Sequence, residues 1–220
     1  MKQSVIITAG GIGKRMGSDL PKQFITIKGL PVLMHTIKRF FDYDQEIQIV
    51  ISLPKDFIQL WKDLCKQFDF DIHHEVIEGG KERYHSIKNA LQNVDGDVIM
   101  VHDAVRPLVS QQTIQKVIEK AVSFGAAIPV LPIKDTLRKG NSEVSGHQDR
   151  SEFWIVQTPQ AFQLKILQKA YNIPYSTSVT DDASLVEAIG KQVFLTEGNE
   201  ENIKITTPFD LKLVEFLMEN

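Results

Sequence analysis

The strongest constraint on this chain is a rhythm. Short β-branched or apolar runs alternate with stripes of apolar residues at helical spacing. Val5-Ile6-Ile7, Ile47 to Ser52 and Val98-Ile99-Met100-Val101 are compact runs fit for buried strands. Between them Val32, Leu33, Thr36, Ile37, Phe40 and Phe41 form one helical stripe, with Pro31 where a first helical residue sits. Phe57 to Phe68 reads as a second helix and Ile72 to Ile77 as a weaker strand, with Ser86, Ile87, Ala90 and Leu91 marking a helix after it. Ser110 is placed to cap a helix through Thr113, Val117 and Ala121, and Ala126 to Leu131 is the next strand. This alternation predicts an α/β fold, a mostly parallel sheet covered on both faces.

The rhythm breaks between about Ile133 and Pro159. Lys139-Gly140-Asn141-Ser142 is a turn cluster, and Phe153-Trp154-Ile155-Val156 is apolar enough to need a cover. The stretch reads as an excursion from the sheet, an extended arm at about 137–157, and an exposed apolar ribbon suggests dimerisation through it. Afterwards come a helix near Leu164 to Tyr171, another from Asp182 to Ile189, a strand at Val193 to Leu195, and a last helix from Phe209 to Met218 introduced by Thr207-Pro208. One domain over 1–220 is expected. The net charge of −3 argues against general nucleic-acid binding. No apolar run approaches the roughly 18 residues of a membrane span, so a cytoplasmic, membrane-free protein is expected. Cys65 is the only cysteine, which excludes an intramolecular disulfide, and it falls in a helical core pattern. The six histidines show no metal-ligand spacing, and His73-His74 reads as a solvated strand edge.

Three segments carry the chemistry. The first strand runs into Ala9-Gly10-Gly11-Ile12-Gly13-Lys14-Arg15-Met16-Gly17, where glycines let backbone N–H groups approach an anion and Lys14, Arg15 and Lys22 add positive charge. Arg15 after Gly13-Lys14 excludes the Walker loop. Gly11, Gly13 and Gly17 are one residue too long for the dinucleotide fingerprint, and Ser52-Leu53-Pro54 lacks its acidic ribose reader. A phosphate-rich ligand remains the natural candidate. Gly79-Gly80-Lys81-Glu82-Arg83-Tyr84-His85-Ser86 follows the third strand and faces the same cleft. There Ser86 either offers a hydroxyl to a base edge or caps a helix. His102-Asp103-Ala104-Val105-Arg106-Pro107 follows the most buried strand. Asp103 is a candidate ligand for Mg²⁺ or another divalent cation, and Arg106 is a phosphate fork or the ion-pair partner of Asp103. No serine or cysteine nucleophile motif is present.

Taken in order, Ala9-Gly10-Gly11 with Gly13-Lys14-Arg15-Met16, Pro21-Lys22-Gln23-Phe24, the His102–Pro107 stretch, Gln157-Thr158-Pro159-Gln160 and Asn202-Ile203-Lys204-Ile205-Thr206 resemble the nucleotidyltransferases that make CDP-linked polyols. The resemblance spans essentially the whole chain and is closest to the 2-C-methyl-D-erythritol 4-phosphate cytidylyltransferases. It implies a Rossmann-like three-layer sandwich with a protruding β-arm used in dimerisation, the arm of one subunit reaching the partner's site. It also implies CTP with Mg²⁺ over the glycine loop, bound by Ala9, Gly10, Gly11, Gly80, Lys81 and Ser86, of which all but Gly11 read the cytosine. Arg15 and Lys22 match transition-state stabilisers, Arg150 and Lys204 the groups that position the polyol phosphate, and Asp103, Arg106, Thr136 and Thr180 the rest of the substrate pocket. Lys81 and His85 depart from the family, which more often has acidic or small residues there. A ribitol-type pentitol-phosphate cytidylyltransferase is the nearest rival. Asp149-Arg150-Ser151 and Thr180-Asp181-Asp182-Ala183-Ser184 favour the methylerythritol type. A non-catalytic nucleotide sensor would have no need for Arg15, Lys22, Arg150 and Lys204 together.

Overall fold

The computed structural model describes residues 1–11, 20–177 and 179–219. The first half contains β1 (Gln3–Thr8), a 3-10 turn (Lys22–Phe24), β2 (Thr26–Ile27), β3 (Leu30–Pro31), α1 (Val32–Tyr43), β4 (Gln48–Leu53), α2 (Lys55–Gln67), β5 (Glu75–Glu78) and α3 (Arg83–Ala90). Then follow β6 (Val98–Asp103), α4 (Gln111–Phe124), β7 (Ala126–Pro132), β8 (Leu137–Gly140), β9 (Ser145–Gln148), a second 3-10 turn (Arg150–Glu152) and β10 (Trp154–Val156). The chain closes with β11 (Gln160–Gln163), α5 (Leu164–Ala170), α6 (Asp182–Ala188), β12 (Phe194–Glu197) and α7 (Pro208–Leu217).

The expected alternation builds one eight-stranded sheet in the order β10-β7-β11-β6-β1-β4-β5, with β12 also on β7. β1 pairs in parallel with β4 and β6, β4 with β5, and β7 with β12. The β-branched runs are buried on both faces because helices cover both. Val5 and Ile7 pack with Phe40 of α1, Trp61 of α2 and Ile114 of α4. Ile6, between them, points the other way, onto Ile87 of α3, Leu167 of α5 and Leu185 of α6. Strand alternation thus divides one apolar run between two cores, the three-layer arrangement expected. The caps hold too. Ser110 Oγ accepts from the Thr113 N–H, and Thr207 and Asp210 close a capping box behind Pro208.

Three local expectations change. β11 was not anticipated as a strand. It lies between β6 and β7, antiparallel to both, and its Gln160-Ala161-Phe162 are buried. The excursion from the sheet is shorter than read: β8 and β9 form a separate antiparallel hairpin, but Trp154–Val156 rejoins the main sheet by pairing with Val130–Pro132 of β7. β5 begins at Glu75, and His74 is not a solvated edge. Its Nε2 accepts a hydrogen bond of 3.0 Å from the buried Trp61 indole, while its Nδ1 lies 2.7 Å from the Ile72 carbonyl. Cys65 packs half-buried against the same core, and its apolar surroundings push the thiol up to about 11. Among the described residues no helix is long and apolar enough to cross a membrane.

Candidate active site

Parallel strands end on one edge of the sheet, and the sequence places its glycines and charges just beyond those ends. β1 gives way to Ala9-Gly10-Gly11, β5 to Gly79-Gly80, and β6 ends on Asp103. Backbone bonds tie the turns together. Ala9 N–H donates to Ser52 O at 3.0 Å, Ala104 N–H to Thr8 O at 3.1 Å, and Gly79 N–H to Leu53 O at 2.7 Å. The result is a cavity of about 380 Å³ lined by Thr8 to Gly11, Lys22, Gln23, Pro54, Gly79 to Arg83, Ser86, Asp103 to Val105 and Lys204.

The wall after β5 is tight. Ser86 is not a helix cap but lies inside α3, where its Oγ accepts from the Gly80 N–H at 3.0 Å and folds the loop onto the helix. A side chain at Gly80 would place its Cβ 2.3 Å from His85 Cβ, so the close turn requires glycine. The opposite wall is cationic. Lys22 Nζ donates to Ile205 O at 2.9 Å, and Ile205 N–H reaches back to Val105 O at 3.0 Å. These bonds pin the 202–206 segment against the end of β6, and Val214 of α7 packs behind Ile205.

Asp103 is the hub. Its Oδ2 accepts from Arg106 Nε at 3.1 Å and lies 3.1 Å from Lys204 Nζ. Burial pushes this carboxyl up, but Lys204, Arg106 and Arg83 together outweigh burial and hold it well below its usual range, ionised. The Asp103–Arg106 ion pair weighed as the plain alternative therefore exists, within a larger cationic cluster. Arg106 also donates through Nη1 to Asn202 O at 2.7 Å. A second cavity, about 330 Å³, opens beyond this hub between Arg83, Arg106, Thr158, Gln160, Thr180 and Asp181, and it shares Arg83, Asp103 and Lys204 with the first.

His102 serves as scaffold. Thr158 Oγ1 accepts from the Asp103 N–H at 3.1 Å, so its own proton goes to His102 Nδ1, 3.1 Å away. The other ring nitrogen then carries the proton and faces Arg106 O at 3.1 Å, a tautomer assigned from this network. Full burial lowers the imidazole to about 4, and it is neutral at pH 7. Among the described residues no group of three or more His, Cys, Asp or Glu side chains could hold a metal ion.

Two joined cavities, glycine turns on one side and cations at the seam, suit two phosphorylated ligands. A family model for 2-C-methyl-D-erythritol 4-phosphate cytidylyltransferase (IspD) matches residues 3–220. The chain belongs to that family. It is 49% identical over 219 residues to the 2-C-methyl-D-erythritol 4-phosphate cytidylyltransferase of Bacteroides thetaiotaomicron, covering 99% of this chain and 100% of the relative. The Phocaeicola vulgatus protein of the same name is 46% identical with the same coverage. The crystal structure of the Thermus thermophilus enzyme of that name has a TM-score of 0.82 at 32% identity over the whole of both chains.

The fold brings most of the residues singled out in this cytidylyltransferase-family sequence to two places. Ala9, Gly10, Gly11, Lys22, Gly80, Lys81 and Ser86 line the first cavity, Arg106 and Thr180 the second, and Asp103 and Lys204 both. Arg15 lies outside the described residues. Thr136 and Arg150 line neither cavity. Both are exposed, and Arg150 Nη1 donates to Lys134 O. Residue-by-residue reading missed Arg83, Gln160 and Asp181, which line the second cavity, and Asp182 beside them. A cation opening the helix after Gly79-Gly80 was the available signal for Arg83.

Proposed function

We infer that this chain transfers the cytidylyl group of CTP to 2-C-methyl-D-erythritol 4-phosphate, giving 4-diphosphocytidyl-2-C-methyl-D-erythritol and pyrophosphate, a step of non-mevalonate isoprenoid precursor synthesis. The observation that carries the reading is the seam. Two cavities meet at Asp103 and Lys204 in a member of a family named for this reaction. CTP occupies the first cavity, its base against Gly80, Lys81 and Ser86. The polyol phosphate occupies the second.

A phosphate monoester is already anionic, so its oxygen attacks the α-phosphorus without a general base, and pyrophosphate leaves in line. His102 fits that scheme: buried and neutral, with both ring nitrogens engaged, it positions Asp103 and Arg106 and takes no proton. The remaining demand is charge. Lys22 and Arg15 stabilise the negative charge developing on the transferred phosphoryl oxygens, and Lys204 and Arg106 hold the incoming phosphate. Both ion-pair contacts of Asp103 use Oδ2, so Asp103 would hold Mg²⁺ through Oδ1, in keeping with that ion's use of one or two carboxylates beside substrate phosphates. When bound, the cation neutralises triphosphate charge; another divalent ion of similar chemistry is an alternative.

The protein works as a homodimer in the cytoplasm in this reading. Phe153, Trp154, Ile155 and Val156 are each at least 40% exposed in the single chain, and a partner covering them would bring its own Arg150 and Thr136 to the second cavity. The test of the reaction is pyrophosphate release from CTP and Mg²⁺ with a panel of polyol phosphates. Turnover with 2-C-methyl-D-erythritol 4-phosphate well above that with ribitol 5-phosphate supports the reading. The reverse preference, or CTP binding without turnover with any of them, refutes it.

A further inference from the structure

Among the described residues at the seam, Arg83 is the cation to which the mechanism above assigns no role. It opens α3, three residues beyond Gly80, and its side chain lines both main cavities and a third of about 110 Å³ beside Tyr84, Tyr171 and Tyr175. Its Nη2 donates to Asp182 Oδ2 at 2.5 Å, and Tyr171 donates its hydroxyl to the other oxygen, Oδ1. The pair is asymmetric: the Asp182 side chain is fully buried, whereas 34% of the Arg83 side chain is exposed. The carboxylate is sunk and satisfied, while the Arg83 side chain lines both cavities.

Charge at the seam points the same way. Arg106 and Lys204 converge on Asp103, whereas Arg83 is balanced by Asp182 on the far side. Over the two cavities five described cations (Lys22, Lys81, Arg83, Arg106 and Lys204) face four carboxylates (Glu82, Asp103, Asp181 and, behind Arg83, Asp182), a net positive site where two anionic phosphates must approach. Among the described residues only Nη2 of Arg83 makes a hydrogen bond, and the planar fork has further N–H donors fixed in direction by Asp182.

We propose that Arg83 is a further substrate-binding residue of this reaction, its guanidinium clamping phosphate oxygens of the polyol substrate where the two cavities join, with Asp182 and Tyr171 as the residues that position it. The proposal rests on the cytidylyl-transfer reading. In the step, a bond forms between a substrate phosphate oxygen and the α-phosphorus of CTP. The bond from that phosphorus to the bridging oxygen breaks, and pyrophosphate leaves with the electron pair. Arg83 stays protonated throughout and contributes only directed positive charge.

The test compares Arg83→Lys and Arg83→Gln with wild type by pyrophosphate release at varied 2-C-methyl-D-erythritol 4-phosphate, CTP calorimetry and thermal melting. Lysine keeps the charge opposite the buried Asp182 but lacks the fork. The expected result for Arg83→Lys is wild-type-like melting, with kcat/KM for the polyol phosphate lowered about 10-fold and CTP affinity changed less than about 3-fold. Arg83→Gln is expected to lose about 100-fold or more. Arg83→Lys with a wild-type KM and kcat overturns the proposal, even if Arg83→Gln fails to fold. So does a loss fully accounted for by a lower melting temperature with KM unchanged. A wild-type protein that binds CTP but releases no pyrophosphate refutes the reaction itself, a different failure.

Discussion

The two cavities are built in different ways. The first is assembled largely by sheet topology: the ends of β1, β4, β5 and β6 place most of its described lining groups, joined by Lys22 and Gln23 of the first 3-10 turn, the start of α3 and Lys204. The second starts from the same sheet, but Arg150 and Thr136, the two arm-side groups expected in it, lie outside it in the single chain. A parallel sheet gathers its strand ends without further help. It does not gather a hairpin that leaves the sheet. The first cavity is therefore a property of the fold, whereas in the proposed reading the second is completed by an assembly.

Four substitutions sharpen or break that contrast. The largest effect belongs to the first cavity: Lys22→Ala should lower kcat by about 10²-fold or more with the fold intact, measured by pyrophosphate release and circular dichroism. Near wild-type turnover would remove Lys22 from the mechanism. Gly80→Ala sets a methyl against His85, and overpacking of about 1–3 kcal/mol translates into CTP affinity roughly 5- to 150-fold weaker by calorimetry. Unchanged affinity would show that the loop adjusts freely. For Arg150→Ala the expectation is a KM for the polyol phosphate raised about 10-fold, with CTP binding retained. If CTP affinity falls instead, Arg150 serves the nucleotide.

The smallest effect lies away from both cavities and serves as a control. Burial lowers the His74 imidazole below its ordinary value of 6.5, because protonation would add a charge and end its acceptance of the Trp61 N–H. Its contribution to stability is complete above pH 6.5 and declines as pH falls below that value, since the unfolded chain binds the proton more readily. The melting temperature should drop on acidification in wild type and less steeply in His74→Asn, with CTP affinity at pH 7 unaltered. Equal slopes would contradict this account of His74.

How much of this was legible in the chain follows the range of the interactions. Val5-Ile6-Ile7, the stripe in α1 and the caps at Ser110 and Thr207 are local patterns, and the structure keeps them. β11 was invisible because Gln160-Ala161-Phe162-Gln163 has no β-branched residue. It is a strand because β6 and β7 leave a slot between them, and its glutamines find partners elsewhere in the fold. The site divides the same way. Glycines and Asp103 announce themselves by following strands. The bond from Arg83 to Asp182, across 99 residues, and that from Lys22 to Ile205, across 183, exist only once the sheet is assembled. Lys81 lines the cavity beside Gly80.

The most direct test of the contrast between the cavities mixes two damaged proteins. Lys22→Ala and Arg150→Ala chains are purified separately, allowed to exchange subunits, and assayed for pyrophosphate release at a polyol phosphate concentration well below its KM. If the arm of one chain completes the other's second cavity, each mixed dimer regains one intact site, and activity rises above the sum of the two separate proteins. A mixture no more active than that sum, in samples whose subunit exchange is verified by mass spectrometry, would contradict the account.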